Sequence, residues 1–337
     1  MRQRLPLFGW LVLAVNIIVI LWGAYVRATG SGAGCGSHWP LCNGDVIPRS
    51  PVEETVIEFV HRITSGVALM MVVGHFFWIR RVFPKGHRTR WAVTASLIFM
   101  IIEALIGAGL VLFELVGNNT SLTRALILAL HLMNTFLLLG SITLAAWWSG
   151  GAPTIHIRGH GMQGGMMFVC LIAVILLGMS GTITALGDTL FPHDSFTTGI
   201  FHDFRPDSHV IARARFVHPM LAAVIGMTVM LTAAYVRGIS KDAGVRRWSY
   251  IVTGMVLLQG MAGGVTILLL APVTMQIIHL FLADSLWITM VMFAAHVLAQ
   301  PVLQTQVYPA SQAVLAETAP KRFAKEQSQQ NKPVDAL

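Results

Sequence analysis

The chain has 337 residues, of which 55% are hydrophobic and only 11% charged, with a formal net charge of +8. A soluble domain carries about 25% charged residues, and a fold of this size could not keep its surface wet with so few. That composition excludes an ordinary cytosolic enzyme, a disordered chain and a nucleic-acid binder, and it leaves a polytopic helical membrane protein.

Uncharged stretches run over 5–26, 63–79, 91–113 (interrupted by Glu103), 125–157, 159–187, 216–236 and 248–283, the last continuing past Asp284 to about 300. A span needs about 20 apolar residues, and Pro272 divides the last stretch in two, so eight transmembrane helices are expected. The first stretch follows Met1-Arg2-Gln3-Arg4. It is longer than the 7–15 residues of a signal-peptide core and reads as a retained first helix.

Lys and Arg orient the helices. With the N-terminus inside, the inner segments hold Arg2 and Arg4; Arg80, Arg81, Lys85, Arg88 and Arg90; Arg158; Arg237, Lys241, Arg246 and Arg247; and Lys321, Arg322, Lys325 and Lys332. These are most of the 23 basic residues, so both termini are expected in the cytoplasm. Two outer segments, 27–57 and 188–212, are long and polar. The tail, 308–337, is polar and expected to be mobile.

The two halves resemble each other. Glu58-Phe-Val-His61-Arg62 parallels Arg215-Phe-Val-His218-Pro219, and His131-Leu-Met-Asn134 parallels His279-Leu-Phe-Leu282. Glu103-Ala-Leu-Ile-Gly107 lies beside Gln259-Gly-Met-Ala-Gly263. Four helices per half give both halves one orientation, a parallel repeat. The expected fold class is therefore all-α integral membrane, eight transmembrane helices as two tandem four-helix bundles, residues 1–150 and 151–307.

His61, His131, His218 and His279 fall at similar depth, roughly 6–12 Å below the outer boundary at about 1.5 Å per residue. Histidine is costly in lipid unless it faces the bundle interior. Two imidazoles on facing helices suit the axial positions of a haem, with Gly66, Gly107, Gly109, Gly260, Gly263 and Gly264 giving the macrocycle room. The other reading is interhelical packing and hydrogen bonding. Zinc would want a third ligand and an open position. The remaining histidines are given no ligand role.

The most distinctive segment joins the first helix to the first outer loop: Val26-Arg27-Ala-Thr-Gly30-Ser-Gly32, then Cys35 and Cys42 enclosing Trp39-Pro40, then Glu58-x-x-His61-Arg62. With the other three histidines, this combination resembles the haem A synthase family (the CtaA/Cox15 type) over about 8–300. This chain has His38 before Trp39-Pro40 where the family usually has Asp, and Pro219 where the first half has Arg62. The resemblance implies oxidation of the C8 methyl of haem O to a formyl group, giving haem A, by successive hydroxylations. It implies haem O held in the N-terminal half (His61, His131) and haem b in the C-terminal half (His218, His279). It also implies a bacterial cytoplasmic membrane setting, with a haem O synthase and an external electron donor as partners. A homo-oligomer stays open. The alternatives are a dihaem b-type electron-transfer protein and a haem transporter or chaperone.

Individual roles follow as expectations. Glu58 lies one turn from His61 and either takes part in the chemistry or is a carboxylate favoured at a helix N-terminus. Arg27, Arg62 and Arg215 either pair with haem propionates or snorkel to headgroups. Cys35 and Cys42 face an oxidising compartment in this topology, so a disulfide is plausible, as a staple or as a redox pair. The resemblance favours a disulfide that matters for activity. Cys170 reads as a core residue. Glu103 and Asp284 are left without a role.

Overall fold

In the computed structural model, residues 4–49, 51–156, 159–195, 197, 203 and 205–299 are described. Eight helices are long and apolar enough to cross a membrane. They are α1 (Leu5–Ala28), α2 (Glu53–Val82), α3 (Arg88–Leu112), α4 (Leu122–Ser149), α5 (Gly161–Leu190), α6 (Val217–Ile239), α7 (Ala243–Leu268) and α8 (Val273–Leu298). The expected all-α, eight-span membrane fold is therefore found. The expected tail, 308–337, lies outside the described residues, as do Arg158 and His202.

Local chemistry sets the helix ends, and several differ from the limits of the uncharged stretches. α2 begins ten residues before its apolar stretch, with Glu53 and Glu54 in its first turn and Arg80 and Arg81 in its last. Both placements suit the helix dipole. α4 stops at Ser149 although the uncharged stretch runs on to 157, because Gly151 turns the chain at φ 87. Side chains cap α4 and α7: Ser121 accepts from the Arg124 N–H and Asp242 from the Val245 N–H. A helical turn (Val210–Arg213) and a 3-10 turn (Ala214–Phe216) lead into α6. Pro272 stands at the head of α8 as expected, after a tight turn that puts Leu270 and Ala271 at φ 61 and 53.

α1 packs on α2 and α4, and α2 and α4 both flank α3. The chain then continues with α5 on α6, α6 on α7 and α7 on α8. α4 also meets α5 and α8, and α8 reaches α1 and α5. Accordingly α4 and α8 are the most enclosed helices, while the others turn most of their surface outward, as lipid-facing helices do. Phe136 of α4 stacks on Trp287 of α8 with centroids 5.2 Å apart and planes 8° from parallel. The Trp287 indole N–H donates to the Phe136 carbonyl.

Candidate functional site

The four histidines stand eight residues past Glu53 (His61), nine past Leu122 (His131), eight past Val210 (His218) and six past Val273 (His279). At about 1.5 Å per residue, these offsets are roughly 9–14 Å along the helices. All four are half-buried.

The second pair is the better defined. The His218 and His279 ring planes stand at 89°, with 6.4 Å between centroids. Metal–imidazole bonds are about 2 Å long, and a ring nitrogen lies roughly 1 Å from its centroid. Two axial imidazoles on one metal therefore stand about 6 Å apart, and the observed pair fits. Ser180 Oγ is 3.0 Å from His218 Nδ1 and donates its own hydrogen to the Leu177 carbonyl at 2.8 Å. A hydroxyl has one hydrogen, so Nδ1–H is the donor to Ser180 and Nε2 presents its lone pair. On the other side, Gln259 Nε2 is 3.3 Å from His279 Nε2, and His279 Nδ1 has no hydrogen-bond partner among the described residues.

In the first pair, His61 and His131 lie within electrostatic reach of each other, and Nδ1 of each is buried without a hydrogen-bond partner among the described residues. Glu103 Oε1 of α3 faces His131 Nδ1 at 3.6 Å. Asn134 Nδ2 donates to Glu103 Oε2 and Thr135 Oγ1 to Oε1, each at 2.5 Å.

Three of the four rings rest on a glycine of a neighbouring helix. A Cβ on Gly23 of α1 would lie 2.8 Å from His61 Cε1, one on Gly181 of α5 2.9 Å from His218 Cε1, and one on Gly263 of α7 3.1 Å from His279 Cε1. Gly23 and His61 lie on the successive helices α1 and α2, and Gly181 and His218 on α5 and α6. Overpacking costs about 1–3 kcal/mol. Gly181→Ala is therefore expected to lower the unfolding temperature of the purified protein. Gly254→Ala, whose added methyl would meet nothing within 4 Å, is expected not to.

Opposed imidazoles, unsatisfied ring nitrogens and glycine-lined approaches together fit the axial ligation of an iron porphyrin. Among the described residues no three His, Cys, Asp or Glu side chains gather in a way that could hold a metal ion by themselves, which does not suit zinc.

Above the first pair, Cys35 and Cys42 form a disulfide with Cα atoms 4.4 Å apart, and both are buried. Glu58 of α2 is 3% exposed and faces this loop. Its Oε2 accepts the Cys35 N–H at 2.8 Å, and its Oε1 is paired with the Arg62 guanidinium. Arg62 Nη1 in turn donates to the carbonyls of His38 and Leu41, each at 2.6 Å. Glu58 and Arg62 thus clamp the disulfide loop onto the helix that carries His61.

The other two arginines are also engaged within the protein. Arg27 of α1 donates to the Ala185 carbonyl at 2.7 Å and Thr189 at 3.0 Å on α5, and to Gln276 Oε1 of α8 at 2.9 Å. Arg215 pairs with Asp203 at 3.1 Å and Asp188 at 3.6 Å and donates to the Phe191 carbonyl at 2.8 Å. Cys170 is buried, as read from the sequence. Asp284 is wholly buried, and neither of its oxygens has a hydrogen-bond partner among the described residues.

Sequence reasoning missed the contacts of Glu103, Gln259 and Ser180 with the histidines. The signal for two of them was present: a carboxylate inside an apolar stretch, aligned with a glutamine in the other half.

Fold and site define a polytopic helical membrane protein with paired, glycine-seated imidazoles beneath a disulfide loop. The chain belongs to the COX15-CtaA family of cytochrome oxidase assembly proteins, whose profile matches residues 7–291. It is 43% identical over 315 residues to a Thermus thermophilus protein named protoheme IX farnesyltransferase, covering 93% of this chain and 51% of that one. It is 38% identical over 144 residues to the protein named heme A synthase from Halalkalibacterium halodurans, covering 43% of this chain and 46% of that one. A heme A synthase of Shouchella clausii matches equally, at 38% over 144 residues, covering 43% of this chain and 45% of its own length. The chain thus spans about half the length of these relatives.

Proposed function

We propose that the protein is a haem A synthase, which takes haem O, oxidises its C8 methyl group to a formyl group by successive hydroxylations, and releases haem A. The observation that carries this reading is the pair of histidine sites. The first is tied through Glu58 and Arg62 to a disulfide-bonded loop, in a chain of the cytochrome oxidase assembly family. Relatives named heme A synthase support it.

In this reading residues 1–150 form the substrate half, where His61 and His131 grip haem O, and 151–307 form the half in which His218 and His279 hold haem b. Haem b, when bound, supplies one-electron redox chemistry. Ser180 fixes the His218 tautomer so that Nε2 faces the metal. Glu58, one turn above His61, holds the loop closed over the substrate edge and keeps a carboxylate beside the reacting face. The Cys35–Cys42 bridge is buried and serves as the staple of that lid.

The setting is a bacterial cytoplasmic membrane with both termini cytoplasmic. The excess of Lys and Arg on the other face supports this, as does a disulfide on the loop face, since such bonds persist in oxidising compartments. Each hydroxylation removes two electrons from the methyl carbon, the gem-diol then loses water, and an external electron donor is the expected redox partner. A haem O synthase is the expected upstream partner. The Thermus protein supports this, because it carries a stretch like this chain in about half its length and is named a protoheme IX farnesyltransferase.

The direct test expresses the chain in a bacterium that makes haem O but no haem A. Haem A is expected in the extracted haems, and unchanged haem O would overturn the proposal.

A further inference from the structure

We propose that Glu103 sets the first histidine pair apart from the second electrically, presenting a carboxylate to His131 where His279 meets the neutral amide of Gln259. This rests on the reading that both pairs ligate haem.

Each half brings a third-helix polar residue to the histidine of its fourth helix, but to different ring nitrogens. Glu103 and Gln259 each stand four residues before a glycine (Gly107, Gly263); Glu103 Oε1 lies 3.6 Å from His131 Nδ1, and Gln259 Nε2 lies 3.3 Å from His279 Nε2. The surroundings change with the residue. Three and four positions after His131 come Asn134 and Thr135, which donate to the two Glu103 oxygens at 2.5 Å each. Three and four positions after His279 come Leu282 and Ala283, whose side chains have nothing to donate. A site that only needed a polar contact to its histidine would not require two added donors. A site that must hold a carboxylate away from bulk water does, because an unsolvated carboxylate is costly unless hydrogen-bonded.

The chemical consequence lies at the ligand. His131 Nδ1 is buried, has no hydrogen-bond partner among the described residues, and faces Glu103 Oε1. A negative charge this close to a metal-bound imidazole would make the ring a stronger donor. It thereby favours the ferric over the ferrous state and lowers the reduction potential. The Gln259 amide lies at the other ring nitrogen of its histidine and carries no net charge, so it does this weakly. Glu103 is thus a positioning residue acting through His131, and Gln259 is its neutral counterpart.

The test uses the full-length protein purified in detergent and loaded with protohaem and haem O, titrated potentiometrically by visible absorbance. His131→Ala and His218→Ala assign the two components. Glu103→Gln is expected to raise the potential of the component lost in His131→Ala by about tenfold in the ferric-to-ferrous ratio, or about 59 mV, and to leave the other in place. Glu103→Asp is expected to restore most of the difference. Gln259→Glu is expected to lower the component lost in His218→Ala. If the first component ignores Glu103→Gln and the second ignores Gln259→Glu, the inference fails and the haem reading stands. If Glu103→Gln yields no stable protein, Gln259→Glu and Glu103→Asp decide by the same criterion. If His131→Ala removes no component, the haem reading of the first pair fails and the inference falls with it.

Discussion

Replacing His218 or His279 by alanine is expected to strip the stably held haem from the purified protein, while His61→Ala leaves that haem largely in place and stops the conversion of haem O. The second pair is already at the spacing of two axial ligands, and Ser180 orients one of them. Removing an outer partner of a metal ligand costs about 10–100-fold in affinity, and removing the ligand itself should cost more. Ser180→Ala therefore makes a graded control, with weaker retention but not loss. The measurement is haem absorbance per protein after purification, set beside the haem A yield in cells. Equal haem loss from His61→Ala and His218→Ala would contradict the division between the halves.

Glu58→Ala is expected to lower haem A formation by at least about 100-fold, the lower bound for a lost general acid or base, without releasing the haem held by His218 and His279. Two effects act together. The carboxylate beside His61 disappears, and Arg62 loses the partner that locks it to the loop carbonyls of His38 and Leu41. Breaking a buried ion pair from one side costs about 3–5 kcal/mol. The lid should therefore loosen, and the Cys35–Cys42 bond, buried in the wild type, should become reducible by mild thiol faster than before. Reduction rate and haem A yield measured on Glu58→Ala and Glu58→Gln separate the roles. If the loop stays protected and activity still falls, chemistry at the carboxylate dominates. If activity survives in Glu58→Ala, Glu58 has no part in the reaction.

The spans and the four histidines were legible because lipid imposes both. Apolar length follows from membrane thickness, and a histidine placed in such a stretch stands out by its cost. The disulfide was legible as a possibility from where its loop would lie. Helix limits were less so, since hydropathy marks where charge begins, not where helix ends. α2 carries Glu53, Glu54, Glu58 and Arg62 within its own helix, and the last two neutralise each other. Least legible were pairings between distant segments. Arg27 looked like an arginine at a boundary, free to meet a propionate or a headgroup. Its partners are Ala185, Thr189 and Gln276, more than 150 residues away, and no local pattern encodes such a meeting. The Glu103 contacts needed the two halves to be set side by side, because neither half announces its departure alone.

The hydrogen atoms of Gly23 and Gly181 shut one flank of the His61 and His218 rings. Each ring therefore has a blind side against its preceding helix, and whatever it grips must come from the opposite direction. Two residues with no side chain thus act as backstops to these two rings.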